Sequence, residues 1–354
     1  MLNRDENKIK ERLPFTTKMV PSDDDEIDVR PTVLLIGINA PTYSSRGILK
    51  GIEALGYRPE FLDWQRIKMN EGIGGLRDRV LAKASFCSPE FIICHIQNPE
   101  AMLPLTFAAL NDIAPVVNLT FDCRAEIDWY KEVAPLISLT CFSNEEDVRE
   151  CAKEGINNTI SLHSSCNYDF YKPADNHSPP REISAYSHEI IFLGGNYSNS
   201  NVDFPLAQNR QDMIAFLKEN YGDKFLSIGM GQEVSKYVNE YEELELYRSA
   251  KIVVGHNNFL RENYSSDRLW RAMGAGAFFL SPYSPGVEKT FEREIHIDWF
   301  NNLFELKNLI DFYLSNDFER NSIAQLGCTE VRLNHRWQDR IKVMADYLKL
   351  SNHE

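Results

Sequence analysis

Nothing in this chain of 354 residues approaches the roughly 20 consecutive apolar residues that span a bilayer. Its first residues, MLNRDENKIKERL, are charged where a secretory leader would be apolar, so a cytoplasmic location is expected. Paired cysteine spacing is also missing. The seven cysteines, Cys87, Cys94, Cys123, Cys141, Cys151, Cys166 and Cys328, contain no C-x-x-C and mostly sit in apolar runs, so they read as buried free thiols. No cysteine and histidine cluster has zinc spacing. The phosphate loop G-x-x-x-x-G-K-[ST], the elbow G-x-S-x-G and H-E-x-x-H are all lacking, which removes the usual kinases, hydrolases and zincins. Positive charge is scarce. Lys and Arg number 38 against 52 Asp and Glu, and the net charge of −14 disfavours general affinity for nucleic acid or anionic membranes.

What is present is a globular composition, 43% hydrophobic, in a chain long enough for two full cores. Residues 1–30 are polar and acidic and read as an extension. Asp23 and Asp25 could be taken for a metal-binding D-x-D pair, but no strand precedes them, and no metal is expected. From Val33 the chain alternates apolar strands with helical segments. VLLIGI is followed by a helix at about 47–55, a strand at 60–64, a helix at about 75–86, FIICHI, a helix at about 101–112, and VVNLTF. This is βαβ repetition with a parallel sheet. Residues 172–188 are rich in Pro, Ser and charge and mark the boundary, with 176–188 as linker. A second series follows: Ile190–Leu193, a helix at about 210–220, Phe225–Ile228, a helix at about 243–249, and Ile252–Val254. The expected domains are 31–175 and 189–335, with 336–354 as a terminal helix.

Several residues could carry chemistry. Gly194, Gly195 and Asn196 end a strand, where backbone can approach a ligand, and Arg210 opens the helix beyond. A glycine turn with a downstream arginine suits a diphosphate, while the plain alternative is a turn and a surface arginine. Gly229 and Gly231 follow another strand. In NYSSDRLWRAMGAGAFFLSPYSPGVEKTF, residues 263–291, Ser265 and Ser266 are good helix caps and favour an anion at the helix start. Leu269, Trp270, Ala272 and Met273 would bury one helix side, Gly274 and Gly276 would end the helix, and Ala277–Leu280 reads as a core strand.

The succession SSDRLWRAMGAGAFFL, then HIDWF, then LFELKNLIDFYLSNDFERNSIAQLGCTEVRLNHRWQDRIKVM resembles the C-terminal half of GT-B glycosyltransferases, particularly the spore-protein-like group with a "glycosyl transferases group 1" domain. FSNEEDVRECAKEGINNTISLHSSCNYDFYKP resembles the same family's passage into the interdomain linker, and EIIFLGGNYSNSN the opening of its second domain. The resemblance covers most of residues 115–345. It implies an α/β protein of GT-B fold, two Rossmann-like domains facing a cleft, with the last helix returning to the first domain. It also implies a nucleotide-diphosphate sugar as donor, UDP-sugar foremost, and no required cofactor.

Under that resemblance Gly194, Gly195, Asn196, Arg210, Gly229, His256, Asn257, Ser265, Ser266 and Arg268 fall on the donor side. The loop Asn39–Arg46 resembles the one approaching donor phosphate and acceptor, with Tyr43, Ser44 and Ser45 as contacts. His95 and Arg124 also fall on the acceptor side. Many relatives place a ribose-gripping glutamate where this chain has Arg271, and retaining members a second glutamate where it has Asn263, so an inverting reaction is implied and the ribose contact must come from elsewhere. Such a reaction needs a base for the acceptor hydroxyl. Asp122 in LTFDCR is the first choice, since the passage resembles "TDIR" of phage DNA β-glucosyltransferases, and RLWRAM resembles their "RVWETM"; the alternative is an aspartate capping the next helix. The implied acceptor is a surface glycan or a protein. A modified-DNA acceptor, a non-catalytic nucleotide-sugar-binding module and a nucleotide-sugar epimerase are the competing readings.

Overall fold

The apolar runs form two separate parallel sheets in the computed structural model, which describes residues 28–40, 43–97, 99–121, 123–166, 188–197 and 204–350. The acidic run Asp23–Glu26 and most of the expected linker lie outside them. The N-terminal half contains β1 (Thr32–Gly37), the short pair β2 (Asn39–Ala40) and β3 (Tyr43–Ser44), α1 (Arg46–Ala54), β4 (Arg58–Asp63), α2 (Trp64–Cys87), β5 (Phe91–Cys94) and α3 (Pro104–Asn111). It continues with β6 (Val116–Thr120), α4 (Asp128–Val133), β7 (Leu139–Phe142), α5 (Glu145–Lys153) and β8 (Thr159–Ser161). Its sheet order is β4-β1-β5-β6-β7-β8. Alternation along β1 explains why both faces need cover: Leu34 and Ile36 pack with Leu76 and Val80 of α2, whereas Val33 and Leu35 pack with Ile48 and Ile52 of α1.

The C-terminal half contains β9 (Ile190–Leu193), α6 (Ala207–Tyr221), β10 (Phe225–Ile228), α7 (Glu240–Ser249), β11 (Ile252–Val254), α8 (Asp267–Ala275), β12 (Phe279–Pro282) and β13 (Asp298–Phe300), then α9 (Leu303–Ser315), α10 (Asp317–Asn334) and α11 (Trp337–Tyr347). Its sheet order is β10-β9-β11-β12-β13. Ile191 and Leu193 face α7 and α8, and Ile190 and Phe192 face α6 and α9. In each sheet the strand order reverses beside the first strand, between β1 and β5 and between β9 and β11. Loops leaving the C-terminal strand ends diverge there and leave a crevice.

Three expectations about elements are corrected. The second helix begins at Trp64, because Asp63 ends its strand and caps the helix, its Oδ1 accepting from the Arg66 N–H at 3.1 Å. It also continues through Gly72, whose φ of 73° breaks the regular path. Gly274 stays inside α8, and only Gly276, at φ 90°, ends it, so the following strand starts at Phe279 rather than Ala277. β7, β8 and β13 are short, and apolar periodicity had not singled them out as strands.

The chain passes between the two cores twice. Leu162 belongs to the N-terminal core and Cys166 to the C-terminal one; Val331 and Trp337 make the return step. The two crossings touch, because Cys166 bridges to Arg336 and the Ser165 hydroxyl donates to the His335 carbonyl. Trp270 sits between His163 and His335 at ring distances of 5.3 and 4.9 Å, with the Arg340 guanidinium 5.4 Å over its ring. Burial, with Arg340 adding to it, lowers His163 to about 4 and His335 to about 3. α11 then lies on α1, contributing Trp337, Ile341 and Met344 to the N-terminal core. Gly51 makes that contact possible: a Cβ there would stand 2.8 Å from the Gln338 nitrogen and the Trp337 carbonyl carbon.

Gly51→Ala is therefore expected to lower stability by about 1–3 kcal/mol through overpacking. Gly74→Ala, on an open face of α2 with nothing within 4 Å of a new Cβ, should be neutral or stabilise by up to about 1 kcal/mol. Urea unfolding of the two variants compares them directly; equal effects would refute the helix contact. The two histidines also set a pH dependence. Their folded values lie below the ordinary 6.5, so the unfolded chain binds more protons below that pH. Their contribution is complete above pH 6.5 and is lost as pH falls toward about 4 and 3. Urea midpoints should decline from pH 7 to 4.5, and less steeply in His163→Gln.

Candidate functional site

Two glycine turns build the C-terminal side of the site. Beyond β9 and β10 the backbones continue to pair, the Gly194 N–H donating to the Ile228 carbonyl at 2.9 Å and the Asn196 N–H to Met230 at 2.8 Å. A Cβ on Gly229 would stand 2.5 Å from the Gly194 carbonyl oxygen, and Gly229 itself has a φ of 143°, so the position admits glycine alone. With no side chain on Gly194, Gly195 or Gly229, a cavity of about 300 Å³ opens above the turns, bordered also by Met230, Tyr237, Glu243, Arg268 and Arg271.

Arg210 does not reach this cavity. It is 0% exposed, its Nη1 donating to the Gly195 carbonyl at 3.0 Å and its Nη2 to the His256 carbonyl at 3.4 Å, and its guanidinium lies between the rings of Phe192 and Tyr197. Burial, with Arg268 nearby, lowers it to about 9. The expected diphosphate contact is thus corrected to a tie holding two loops, because the loops need their carbonyls satisfied under cover. His256 is corrected likewise: its carbonyl accepts from Arg210 and Arg268, and the residue borders a separate cavity with Leu206, Asn209 and Met213. Asn257 uses its Oδ1 to accept the Ser266 N–H at 3.1 Å, which places it as a brace for the start of α8.

Ser266 is the N-cap of α8 in extended conformation, yet its hydroxyl makes no capping bond, and the Ser265 Oγ is buried with no hydrogen-bond partner among the described residues. The role expected for both serines as side-chain caps is corrected, since Asn257 orders this turn instead. Arg268 donates from Nη2 to the His256 carbonyl at 3.1 Å and borders both principal cavities. Arg271, one turn on, pairs with Asp267 at 3.2 Å and with Glu243 at 3.3 Å. Burial pushes Asp267 up, but Arg271 and Arg268 outweigh it and hold its carboxyl below the usual range.

The second cavity, about 430 Å³, lies between the two sheets' strand ends and shares Tyr197, Arg268 and Arg271 with the first. The N-terminal half contributes Ile38, His95, Gln97, Phe121 and Cys123 to it. His95 follows β5. Its N–H donates to the Ile36 carbonyl at 2.9 Å, its carbonyl accepts from Trp64 Nε1 at 3.1 Å, and burial lowers its ring to about 4 despite the nearby Asp267. Asp122 lies outside the described residues, although Phe121 and Cys123 on either side of it border the cavity. Arg124 does not border it; the guanidinium donates to the Gln97 carbonyl at 2.9 Å. Asn39 is exposed and pairs through its backbone with Ser44, as Ala40 does with Tyr43, and the side chains of Tyr43 and Ser44 lie outside the described residues. Ser45 closes this loop, its hydroxyl donating to the Ile38 carbonyl at 2.8 Å.

Ion pairs link the two halves: Arg149 with Glu262 at 2.7 Å, Lys289 with Glu145 at 2.6 Å, and Arg261 with Glu146 at 3.1 Å. Sequence reasoning missed Asp267 and Glu243 as cavity residues. Arg271 was visible only as a departure from the expected glutamate.

With this geometry in place, comparison with known proteins agrees. The family model described as "Glycosyl transferase-like" matches residues 209–346. No curated protein matches the chain by sequence. Among solved structures, a glycosyltransferase from Rickettsia africae superposes with a TM-score of 0.61 at 13% identity, covering 91% of this chain and 100% of that one. Anabaena HepE in complex with UDP and glucose gives 0.62 at 12% identity, covering 90% and 99%. Sucrose-phosphate synthase from Thermosynechococcus elongatus gives 0.58 at 11%, covering 90% and 98%. The fold shared with these structures is the GT-B fold, and residues 209–346 resemble the glycosyl transferase-like family. Among the described residues, no helix is long and apolar enough to cross a membrane.

Because Arg210 holds two buried carbonyls and Arg268 lines open space, their removal should differ. Arg210→Ala is expected to cost about 3 kcal/mol of stability, and Arg268→Ala less than about 1 kcal/mol. Chemical denaturation of both variants checks this, and a larger loss in Arg268→Ala would contradict the assignment.

Proposed function

We propose that this protein transfers a sugar from a nucleoside-diphosphate donor, UDP-sugar foremost, to an acceptor hydroxyl, by an inverting route that requires no metal. The observation carrying this reading is the glycine-floored cavity with Arg268 on its wall, opening through shared residues onto the interdomain cavity. Backbone that admits no side chain lets a ligand lie close to the sheet, and Arg268 with the start of α8 offers positive charge to a departing diphosphate. The binding of UDP by Anabaena HepE supports uridine as the base.

The acceptor side combines aromatic and polar walls. Phe121, Tyr197, Phe204, Phe259 and Tyr264 border the interdomain cavity together with Gln97, Asn258 and Asp267. Aromatic faces interleaved with hydrogen-bonding groups suit a sugar ring, which supports a surface glycan as acceptor. Asp122 serves as the base: it takes the proton from the acceptor hydroxyl as the oxygen attacks the anomeric carbon, and the bond to the diphosphate breaks on the opposite face. The net charge of −14 opposes a DNA acceptor.

Donor hydrolysis in the absence of acceptor provides the test. UDP-glucose and related donors should release UDP with EDTA present; Asp122→Asn should reduce turnover at least about 100-fold with donor affinity unchanged, and Arg268→Ala should weaken UDP binding about tenfold or more. UDP binding without turnover would instead support a binding module, and a changed donor configuration would support an epimerase.

A further inference from the structure

One segment on the C-terminal side of the site is held in place by the N-terminal half. Residues 261–263 run directly into Tyr264, which borders the interdomain cavity, and then into the first turn of α8 with Arg268. The C-terminal half fixes this segment from one side: the Ser284 hydroxyl donates to the Arg261 carbonyl at 2.9 Å, and the Asn263 N–H donates to the Pro285 carbonyl at 2.6 Å. The start of α5 fixes it from the other. Glu146 commits both carboxylate oxygens to it, Oε1 accepting the Glu262 N–H at 2.8 Å and Oε2 accepting from Arg261 Nη1 at 3.1 Å. Glu145 gives its own N–H to the Glu262 carbonyl at 3.2 Å, and its Oε1 accepts from Asn263 Nδ2 at 3.2 Å. Asn263 has a φ of 54°, a region sparsely populated by residues other than glycine, so contacts from outside the segment are needed to keep it there. A carboxylate bonded to a backbone N–H and to a guanidinium fixes the chain itself, which an exposed pair of two long side chains does not.

Resting on the nucleotide-sugar reading above, we propose that Glu146, with Glu145, is a positioning residue for the donor: by fixing residues 261–263 from the N-terminal half, it sets where Tyr264 and the first turn of α8 stand. Neither carboxylate borders the two cavities of the site, so each acts on the donor only through this segment. Only Tyr264–Asp267 lie between Asn263 and Arg268, too few residues to absorb a shift of the segment before it reaches the cavity wall. Glu150 on the same helix supplies the comparison. It is of similar exposure to Glu146, and it pairs with Lys131 and Lys153 of its own half.

Calorimetric titration of UDP into the full chain, beside urea unfolding of the same samples, tests this. Glu146→Ala is expected to raise the Kd for UDP about tenfold. Glu146→Gln, which keeps an oxygen for the Glu262 N–H, should recover most of that affinity, to within about threefold of wild type. Glu150→Ala should bind UDP as wild type does. A merely structural role would lower the urea midpoint of Glu146→Ala and leave its UDP affinity unchanged; that result, or an equal loss of affinity in Glu150→Ala, overturns the assignment and leaves the donor reading standing. Absence of binding by UDP and by the other ribonucleoside diphosphates in wild type overturns both. If Glu146→Ala does not fold, Glu146→Asp decides in its place: it keeps the charge but withdraws the oxygens, and a loss of UDP affinity smaller than about threefold would overturn the proposal.

Discussion

The site depends on one close approach of backbone to backbone. Where β9 and β10 end, the Gly194 carbonyl lies against Gly229 with no room for a single methyl between them. Because Gly194, Gly195 and Gly229 carry no side chain, the two loops continue the parallel pairing past the sheet and leave empty volume above it. Arg210 fastens the arrangement from below, giving its protons to Gly195 on one loop and His256 on the next. A buried guanidinium between two aromatic rings is costly to desolvate, and the carbonyls it satisfies are what offset that cost. Placing Arg268 beside the same His256 carbonyl puts a second cation at the surface of the void.

The two domains meet through different physics. Beside the two chain crossings the contacts are aromatic and buried, with Trp270 between His163 and His335 and α11 laid back on α1. Elsewhere the contacts between the halves are ionic and partly exposed, linking Glu145, Glu146 and Arg149 to Arg261, Glu262 and Lys289. Exposed pairs contribute little individually and weaken with salt, whereas buried aromatic packing does not.

Reading the sequence went well where one residue's chemistry acted locally and less well where it depended on a distant partner. Continuous apolar runs such as VLLIG and FIIC identify buried parallel strands because both sheet faces must be covered. β7, β8 and β13 read LTCF, TIS and DWF, and their polar residues interrupt the apolar run that marks the other short strands. Gly194, Gly229 and Arg268 were legible as site residues because strand ends followed by glycine, and helix starts, have few uses. Arg210 was also singled out, but its direction was not legible: whether an arginine on a helix faces a ligand or two carbonyls is decided by loops 15 and 46 residues away in sequence. His256 and Asn257 turned inward for the same reason.

By itself the sequence determined two parallel α/β sheets, their order of elements and the glycine-bearing strand ends, since these follow from periodicity, apolar coverage and the steric freedom of glycine. Only the tertiary structure decided which charged groups share a cavity. Glu243, Asp267, Arg268 and Arg271 come from two helices and converge through packing of α7 against α8, and His95 joins Asp267 from the other domain. Such convergence has no local signature, because side-chain direction and pairing in a cleft are set by contacts between elements far apart along the chain.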